Sequence, residues 1–395
     1  MVTPVMSTYA REDIAFVSGE GVYLVDREGR RYLDFGSGIS VTALGHCHPH
    51  LVKALQDQAG QLWHVSNLYH IPGQEKLAQR LVDATFADSV FFCNSGAEAV
   101  EAGLKIVRKY HDATGNPDRY RVISFTGGFH GRTFASLAAA KKEAHMAGFH
   151  PMPEGFDQVA FGNLNELRNA ITEETAAIIV EPIQGESGIH PADAEFLRAL
   201  RQTADEFGLL LFFDEVQTGV GRTGRLFAHE WAGVEPDLMS SAKGLGGGFP
   251  VGALLAKAHV AEAVTPGSHG STFGGNPLAM ACGNAVLDVM LADGFFEGAR
   301  KQAQVLWDGL TKLVDAHPGI FSGLRGQGFL LGLQCEIPNR DVLRQLRKNG
   351  MLAVVAGDNV LRLAPPLIIT ERHIEEALGI LEKSCAELEK DGEKE

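Results

Sequence analysis

The chain has 395 residues, of which 45% are hydrophobic and 21% charged, and this length exceeds what one hydrophobic core usually supports, so two domains are expected. The formal net charge of −14 argues against nucleic acid or an anionic membrane surface as a partner, although a few local cations can still bind a small anion. The five cysteines are scattered and odd in number, and no segment reaches the about 18 apolar residues of a membrane helix, so we expect reduced thiols, no signal peptide and a cytoplasmic location.

The first 48 residues predict a small β meander. Short extended runs are separated by glycine-containing turns, and they lie at residues 14–17, 22–25 and 31–35. We assign residues 1–48 to an N-terminal segment that contributes to a small domain.

Residues 49–290 have the pattern of a large α/β domain. Short apolar runs alternate with longer helical patterns, and these runs lie at residues 90–93, 122–125, 177–180, 209–213 and 238–241. Because the runs are apolar on both faces, they predict strands of a mostly parallel central sheet covered by helices. Residues 291–395 predict a smaller α+β domain, with helices at 296–316 and about 370–390 and extended runs at 328–334 and 360–363.

Polar, reactive or glycine-rich residues follow each of the five central runs. They are found at positions 94–98, 126–132, 181–186, 214–217 and 242–248. In open α/β sheets, ligands bind outside the carboxyl ends of the strands. Five such strand ends in one chain therefore predict a ligand site at this edge of the sheet.

The first of these strand ends has the features of an anion site. Ser95 and Glu98 have the spacing of a capping box, which places Gly96 and Ala97 in the first turn of a helix. Their amides have no partner within the helix, and the small side chains let a phosphate approach closely. An ordinary capped helix is the alternative interpretation of this motif.

Asp214 and Lys243 end two further strands and have complementary chemistry. A carboxylate after so apolar a run needs a cation or a strong donor, and the protonated ring nitrogen of pyridoxal phosphate is such a partner. An amine in a partly desolvated cleft loses some preference for its charged form, so Lys243 can attack an aldehyde. Taken singly, these residues could be a partnered core acid and a loop lysine. Together with the helix start, they favour a pyridoxal-phosphate site.

A wider resemblance supports this interpretation. Asp214-Glu215-Val216-Gln217-Thr218-Gly219, followed by Ser241-Ala242-Lys243-Gly244, resembles the signature of class III (ω-amino acid) aminotransferases. Other motifs of that family follow in its order over nearly the whole chain, at residues 44–49, 94–98, 129–133, 181–186, 269–277 and 362–366. The resemblance implies an α/β transferase of fold type I, with a large cofactor-binding domain and a smaller domain that covers the cleft.

The resemblance also implies roles toward pyridoxal 5′-phosphate. Lys243 is expected to bond the aldehyde and then to shuttle a proton. Asp214 is expected to bind the ring nitrogen, and Gln217 the phenolic oxygen. Asp214 and Lys243 are thus the residues expected to carry the catalysis.

Further cofactor contacts are implied in the same way. Phe129 and Val216 are expected to pack on opposite faces of the ring, and the amides of Gly96 and Ala97 are expected to hold the phosphate. Thr272 is expected to add a hydroxyl group from a second subunit. The resemblance therefore implies a homodimer whose active sites are shared between the subunits.

The substrate contacts implied by the resemblance separate two kinds of substrate. Arg132 is expected to clamp the α-carboxylate of the amino donor, with Ser271 also in contact with the substrate. Glu186 and Arg362 match a paired gate that, when open, frees the arginine for glutamate or 2-oxoglutarate. Ile39 stands where free-ornithine enzymes carry a tyrosine, which argues for an acylated donor. The resemblance implies N-acetyl-L-ornithine as that donor, with succinylornithine, ornithine or another terminal amine as the alternatives.

Three competing interpretations have weaker support. Residues 219–224 match G-x-G-x-x-G, but the glycines do not follow the strand directly and no long apolar helix comes next, which disfavours a nicotinamide-dependent dehydrogenase. The histidines at 46–50 lack a ligand pattern, so no metal is expected. A catalytically inactive relative would usually lose the lysine, the aspartate or the phosphate site, and this chain has all three.

Overall fold

The computed structural model describes residues 3–392, and their side chains up to residue 390. The strands in this range are Phe16–Glu20, Tyr23–Asp26, Arg31–Asp34, Ser89–Cys93, Arg121–Phe125, Phe156–Val159, Thr175–Val180, Ile183–Gln184, His190–Pro191, Leu210–Asp214, Leu238–Ser241, Gly252–Ala256, Phe321–Gln327, Leu330–Cys335, Met351–Leu352, Val354–Ala356 and Val360–Leu363.

The α-helices are Ser37–Ser40, Pro49–Ala59, Pro72–Ala84, Gly96–Ala113, Phe134–Ala140, Glu143–Met146, Leu164–Ala170, Ala194–Phe207, Ala258–Ala261, Pro277–Met290, Phe295–Ala316, Asn339–Lys348 and Glu371–Gly392, and three-residue-per-turn helices occur at Ala228–Trp231 and Lys243–Gly246. Among these described elements, no single helix has the length and apolarity of a membrane span. Only the helix pair 277–290 and 295–316, bent by 75°, has the required length and apolarity when the two helices are taken together.

A seven-stranded sheet forms the centre of the molecule. Its order, from one edge to the other, is Ser89–Cys93, Gly252–Ala256, Leu238–Ser241, Leu210–Asp214, Thr175–Val180, Arg121–Phe125 and Phe156–Val159. Gly252–Ala256 is antiparallel to both of its neighbours, whereas the other pairs are parallel. The prediction of a mostly parallel α/β sheet is confirmed, and all five predicted central strands are present within two residues of their predicted bounds.

Burial explains why these segments form strands. Every residue of Thr175–Val180 and Leu210–Asp214 is buried, as expected for strands that helices cover on both faces. Two strands of this sheet were missing from the sequence prediction. Phe156–Val159 carries polar residues in its middle, and Gly252–Ala256 follows a glycine-rich segment, which weakens the strand pattern.

Two smaller four-stranded sheets lie outside the central one. In the first, Met351–Leu352 pairs in parallel with Arg31–Asp34, so a strand of the C-terminal part completes the N-terminal meander. In the second, Val360–Leu363 pairs with Leu330–Cys335, and Gly332 lies opposite Arg362. The division at residues 48 and 290 stays a prediction.

The boundaries of two predicted strands were wrong. The first strand is Phe16–Glu20 rather than 14–17. The single run predicted at 328–334 is a hairpin of Phe321–Gln327 and Leu330–Cys335. Its first strand contains two glycines, which weaken the strand pattern in a sequence.

Residues 46–50 are explained by local structure. Nε2 of His46 lies 2.8 Å from a carboxylate oxygen of Asp34, and Pro49 begins the helix Pro49–Ala59, as its position in the sequence predicts. Just before this segment, Ser37, Gly38, Ile39 and Ser40 all have positive φ angles. For the β-branched Ile39 this conformation is strained.

Candidate active site

The carboxyl ends of three adjacent central strands bring the candidate residues together. Asp214 is the last residue of its strand, and it pairs with Ser240 in the neighbouring strand that precedes Lys243. On the other side, Phe213 pairs with Val180, so that Glu181 follows at the same level. The topology thus places two acids and the lysine at one sheet edge.

Asp214 is buried, and both of its carboxylate oxygens have hydrogen-bond partners. Its carboxylate lies 2.8 Å from Nδ1 of His130 and accepts hydrogen bonds from Oγ of Ser240 at 3.0 Å and the amide of Val216 at 3.1 Å. Burial opposes a charge on His130, but the hydrogen bond and the negative charge of Asp214 outweigh it and raise the pKa of His130. A raised pKa favours the charged form of His130, and a buried carboxylate with such a neighbour is well suited to a site that binds a protonated ring nitrogen.

Glu181 is a second buried acid near His130 and Asp214. Burial raises the pKa of Glu181, with the charge of His130 opposing this effect and that of Asp214 adding to it. Its Oε1 accepts a hydrogen bond of 2.7 Å from the amide of Phe129, which fixes the segment that carries Phe129. His130 and Glu181 both lay in motifs that the sequence analysis quoted, but no role had been assigned to either.

Lys243 lies near the charged side chains of Glu186, Arg362, Glu181 and Asp214. It begins a short helix with a φ angle of 42°. The residue keeps some accessible surface, yet protein atoms surround its ammonium group. This desolvation lowers the pKa of Lys243 to about 8, with Glu186 raising it and Arg362 lowering it further. A substantial fraction of the amine is therefore neutral near physiological pH, the form that attacks an aldehyde.

The helix Gly96–Ala113 begins beside these residues. Oγ of Ser95 accepts a hydrogen bond of 3.2 Å from the amide of Glu98, as predicted. The reverse bond of the capping box differs from the prediction, because Glu98 accepts from the amide of Asn94 at 2.6 Å. In the described part of the chain, the amides of Gly96 and Ala97 have no hydrogen-bond acceptor, so both can bind an anion.

Close packing joins this helix start to two other segments. A Cβ atom on Gly96 would lie 2.5 Å from Cγ1 of Val216, and a Cβ atom on Gly131 would lie 2.9 Å from Cβ of Ala97. Contacts this short exclude any side chain at either glycine. The helix start, the segment after Asp214 and the segment that carries Phe129 therefore meet at one place.

Glu186, Gln217 and Arg362 form a hydrogen-bonded group. Nη1 of Arg362 lies 2.5 Å from Oε1 of Glu186 and 3.0 Å from Oε1 of Gln217, and Nε2 of Gln217 donates to Glu186 at 3.1 Å. Burial opposes the charge of Glu186, but Arg362 and Lys243 outweigh it and lower its pKa. Nε and Nη2 of Arg362 are buried without a partner among the described residues.

Arg132 is exposed and borders the same region. Its Nη2 lies 3.2 Å from Nε2 of His145, and its Cζ lies 5.7 Å from the ring centre of Phe129. Burial and the charge of Arg132 lower the pKa of His145, so a neutral ring can accept the hydrogen bond. His145 is a third neighbour of the site, after His130 and Glu181, to which no role had been assigned from the sequence.

Ser271 and Thr272 lie in one loop near the helix start. Oγ of Ser271 accepts hydrogen bonds from Nδ2 of Asn94 at 3.2 Å and from the amide of Gly274 at 2.9 Å. Thr272 and its neighbour Phe273 are exposed in the single chain. The contact of Thr272 with the site of a second subunit stays a prediction.

Comparison with known proteins agrees with this arrangement. Residues 7–385 match the family model of aminotransferase class III. An acetylornithine aminotransferase of Brucella melitensis is 56% identical over 387 residues, which is 98% of this chain and 96% of that protein. A crystal structure of the ornithine aminotransferase from Toxoplasma gondii superposes with a TM-score of 0.94 at 31% identity, over 98% of this chain and 94% of that one. The N-acetylornithine aminotransferase of Stenotrophomonas maltophilia gives a TM-score of 0.85 at 37% identity and covers 97% and 98%.

Fold and site thus define a pyridoxal-phosphate-dependent aminotransferase. The chain belongs to the class III aminotransferase family. Its residues fit the cofactor, because a buried acid, an amine of lowered pKa and helix amides without an acceptor among the described residues lie at one sheet edge, as the ring nitrogen, the aldehyde and the phosphate require.

Proposed function

We propose that this enzyme transfers the terminal amino group of N-acetyl-L-ornithine to 2-oxoglutarate, giving N-acetyl-L-glutamate 5-semialdehyde and L-glutamate in arginine biosynthesis. The curated relative from Brucella melitensis, 56% identical over nearly the full length, is named for the acetylated donor. The observation that carries the proposal is the Glu186–Arg362 pair beside Lys243, since it lets one site accept two unlike substrates.

Each side chain at the sheet edge would have a separate role in the reaction. When bound, pyridoxal phosphate supplies an aldehyde for the amine and a ring that accepts electrons from the substrate carbon. Lys243 would move the proton between the substrate carbon and the cofactor carbon. Asp214, which His130 contacts, would keep the ring nitrogen protonated. Phe129 and Val216 would confine the ring, and the amides of Gly96 and Ala97 would hold the phosphate.

The Glu186–Arg362 pair accounts for the two half-reactions. With the pair closed, the guanidinium is neutralised, and an amino donor binds with its terminal amine near Lys243 and its α-carboxylate on Arg132. Glutamate and 2-oxoglutarate carry a carboxylate next to the reacting carbon. They displace Glu186 and bind Arg362, whose Nε and Nη2 have no partner among the described residues. Ping-pong turnover in a single site follows from this exchange.

A homodimer and a cytoplasmic location are part of the proposal. Large apolar side chains are exposed in the single chain near the loop of Thr272, and they are Leu62, Trp63, Leu68, Tyr69 and Phe273. Phe273 packs against His64, with ring centres 5.2 Å apart. Exposed aromatic and aliphatic side chains in one region favour a protein interface, and this interface would place Thr272 beside the partner's cofactor.

The donor assignment is tested by a steady-state panel of amino donors with 2-oxoglutarate. We expect kcat/KM for N-acetyl-L-ornithine to exceed that for free ornithine or 4-aminobutyrate by at least about tenfold, since a difference of about 1.4 kcal/mol between transition states suffices. Succinylornithine is the closest competitor because it is also acylated. A preference for ornithine or 4-aminobutyrate would show that the donor assignment is wrong.

Replacing Arg132 with alanine should weaken donor binding specifically. We expect the KM of the amino donor to rise by about 10- to 100-fold, because a charge-assisted carboxylate contact of about 1.5–3 kcal/mol is lost, while the affinity for pyridoxal phosphate changes little. Arg168→Ala is the control, since Arg168 pairs with Glu206 at the surface. An unchanged donor KM in Arg132→Ala would exclude the clamp.

A further inference from the structure

Arg222 is a buried cation that the proposed function has not used. It lies in residues 219–224, the segment with the G-x-G-x-x-G pattern, and its side chain is one of the largest that are fully buried. Its described hydrogen bonds go to main-chain carbonyls, and Nη2 has no partner among the described residues. A buried guanidinium without a bonded carboxylate is costly, so a function is expected to retain it.

Arg222 contacts residues next to two paired strands, one of which carries Arg362. Nη1 of Arg222 donates to the carbonyl oxygen of Phe329 at 3.3 Å and to that of Pro365. Phe329 precedes the strand that pairs with the strand of Arg362, and Pro365 follows Arg362 by three residues. One side chain thus links both strands to the segment that follows Asp214.

The backbone around Arg222 is fitted tightly to this sheet. Val220 has a φ angle of 51°, which is strained for a β-branched residue. A Cβ atom on Gly221 would lie 2.5 Å from Cδ1 of Leu367, and one on Gly328 would lie 2.4 Å from the carbonyl carbon of Thr223. These contacts hold the segment in one position relative to the strands around Arg362.

Arg222 also brings a second positive charge to the vicinity of Arg362. Burial lowers the pKa of Arg222 to about 9, with the charge of Asp34 raising it and that of Arg362 lowering it further. The guanidinium therefore stays protonated at neutral pH. The effect of Arg362 on this pKa shows that the two guanidinium groups lie within electrostatic range of each other.

We propose that Arg222 is a positioning residue for the half-reaction with glutamate and 2-oxoglutarate. It fixes the strands around Arg362, where the substrate carboxylate replaces Glu186. This inference rests on the proposed opening of the Glu186–Arg362 pair. An amino donor whose reacting end carries no carboxylate does not use that position. The two half-reactions should therefore differ in their dependence on Arg222.

The test measures each half-reaction separately in single turnover, by the absorbance of the bound cofactor, in Arg222→Met and Arg222→Lys holoenzymes. We expect Arg222→Met to raise the apparent Kd of glutamate about tenfold, or about 1.4 kcal/mol, and that of the amino donor less than twofold. Arg222→Lys keeps the charge but not the planar fork, so a smaller rise for glutamate alone is expected. Arg225→Met is the matched control, because Arg225 is exposed and stacks on Trp231.

Equal changes in both half-reactions, or none in either, would overturn the role of Arg222. If Arg222→Met does not fold, the same comparison in Arg222→Lys decides. The donor used is the amine that the wild-type enzyme prefers, so an error in the proposed donor leaves this test intact. That error would be seen in the wild-type donor panel, whereas a failure of the present inference would be seen only in the variants.

Discussion

Lys243→Ala will abolish transamination and leave the fold intact. The substitution removes the amine that bonds the aldehyde and the group that carries the proton. Since positioned proton transfer alone contributes up to about 10⁴-fold, we expect kcat to fall by at least about that factor. Desolvation lowers the pKa of Lys243 to about 8, so burying its charge opposes folding at neutral pH. The apoprotein of the variant should therefore melt at the same temperature or higher.

The matched control for this variant is Lys257→Ala. Lys257 is a partly exposed lysine that lies 3.2 Å from Glu235. It follows Ala256, which pairs with Leu238 at the end of the sheet opposite the site. Steady-state assays and thermal melting of both variants separate loss of chemistry from loss of structure. Turnover retained in Lys243→Ala would exclude this lysine as the catalytic amine.

Asp214→Asn should have the second-largest effect. An amide cannot hold the ring nitrogen protonated, so the ring loses much of its capacity to accept electrons. Removing one preorganised electrostatic group commonly costs about 10²- to 10³-fold in kcat, and we expect a loss of about 10³-fold in this site. Stopped-flow measurement of the donor half-reaction should place the loss in the chemical step rather than in donor binding.

Ser240→Ala is the control for Asp214. It removes one hydrogen bond of 3.0 Å to the carboxylate but leaves the charge and the contact with His130 in place. We expect a loss of less than about tenfold, because a single hydrogen bond contributes about 0.5–1.5 kcal/mol. Equal losses in Asp214→Asn and Ser240→Ala would indicate that the charge of Asp214 has no special part in the reaction.

Five strands of the central sheet could be predicted from the sequence because each is marked by a short apolar run within a few residues. The apolar runs that end at Phe213 and Ser241 are bounded by polar residues, and both strands are present in the structure. The antiparallel strand Gly252–Ala256 could not be assigned in this way. A short apolar run after a glycine-rich segment resembles a loop or a buried turn, and only its pairing with two neighbours identifies it as a strand.

The candidate site was predicted to the extent that its motifs are contiguous in sequence. Asp214, Lys243 and the helix start at Gly96 each follow a strand, and the structure brings these strand ends together. His130 was not predicted to support Asp214, because the two residues are 84 positions apart and their contact depends on how two non-adjacent segments fold. The same reason applies to Arg222, whose carbonyl partners lie 107 and 143 positions away.

A crystal structure of the enzyme with bound pyridoxal phosphate provides the most direct measurement. The predicted result is continuous density from Nζ of Lys243 to the cofactor's aldehyde carbon, with the ring nitrogen within hydrogen-bonding distance of the Asp214 carboxylate. Density for the cofactor elsewhere, or Lys243 and Asp214 directed into separate regions with no ligand between them, would contradict the assignment of this site.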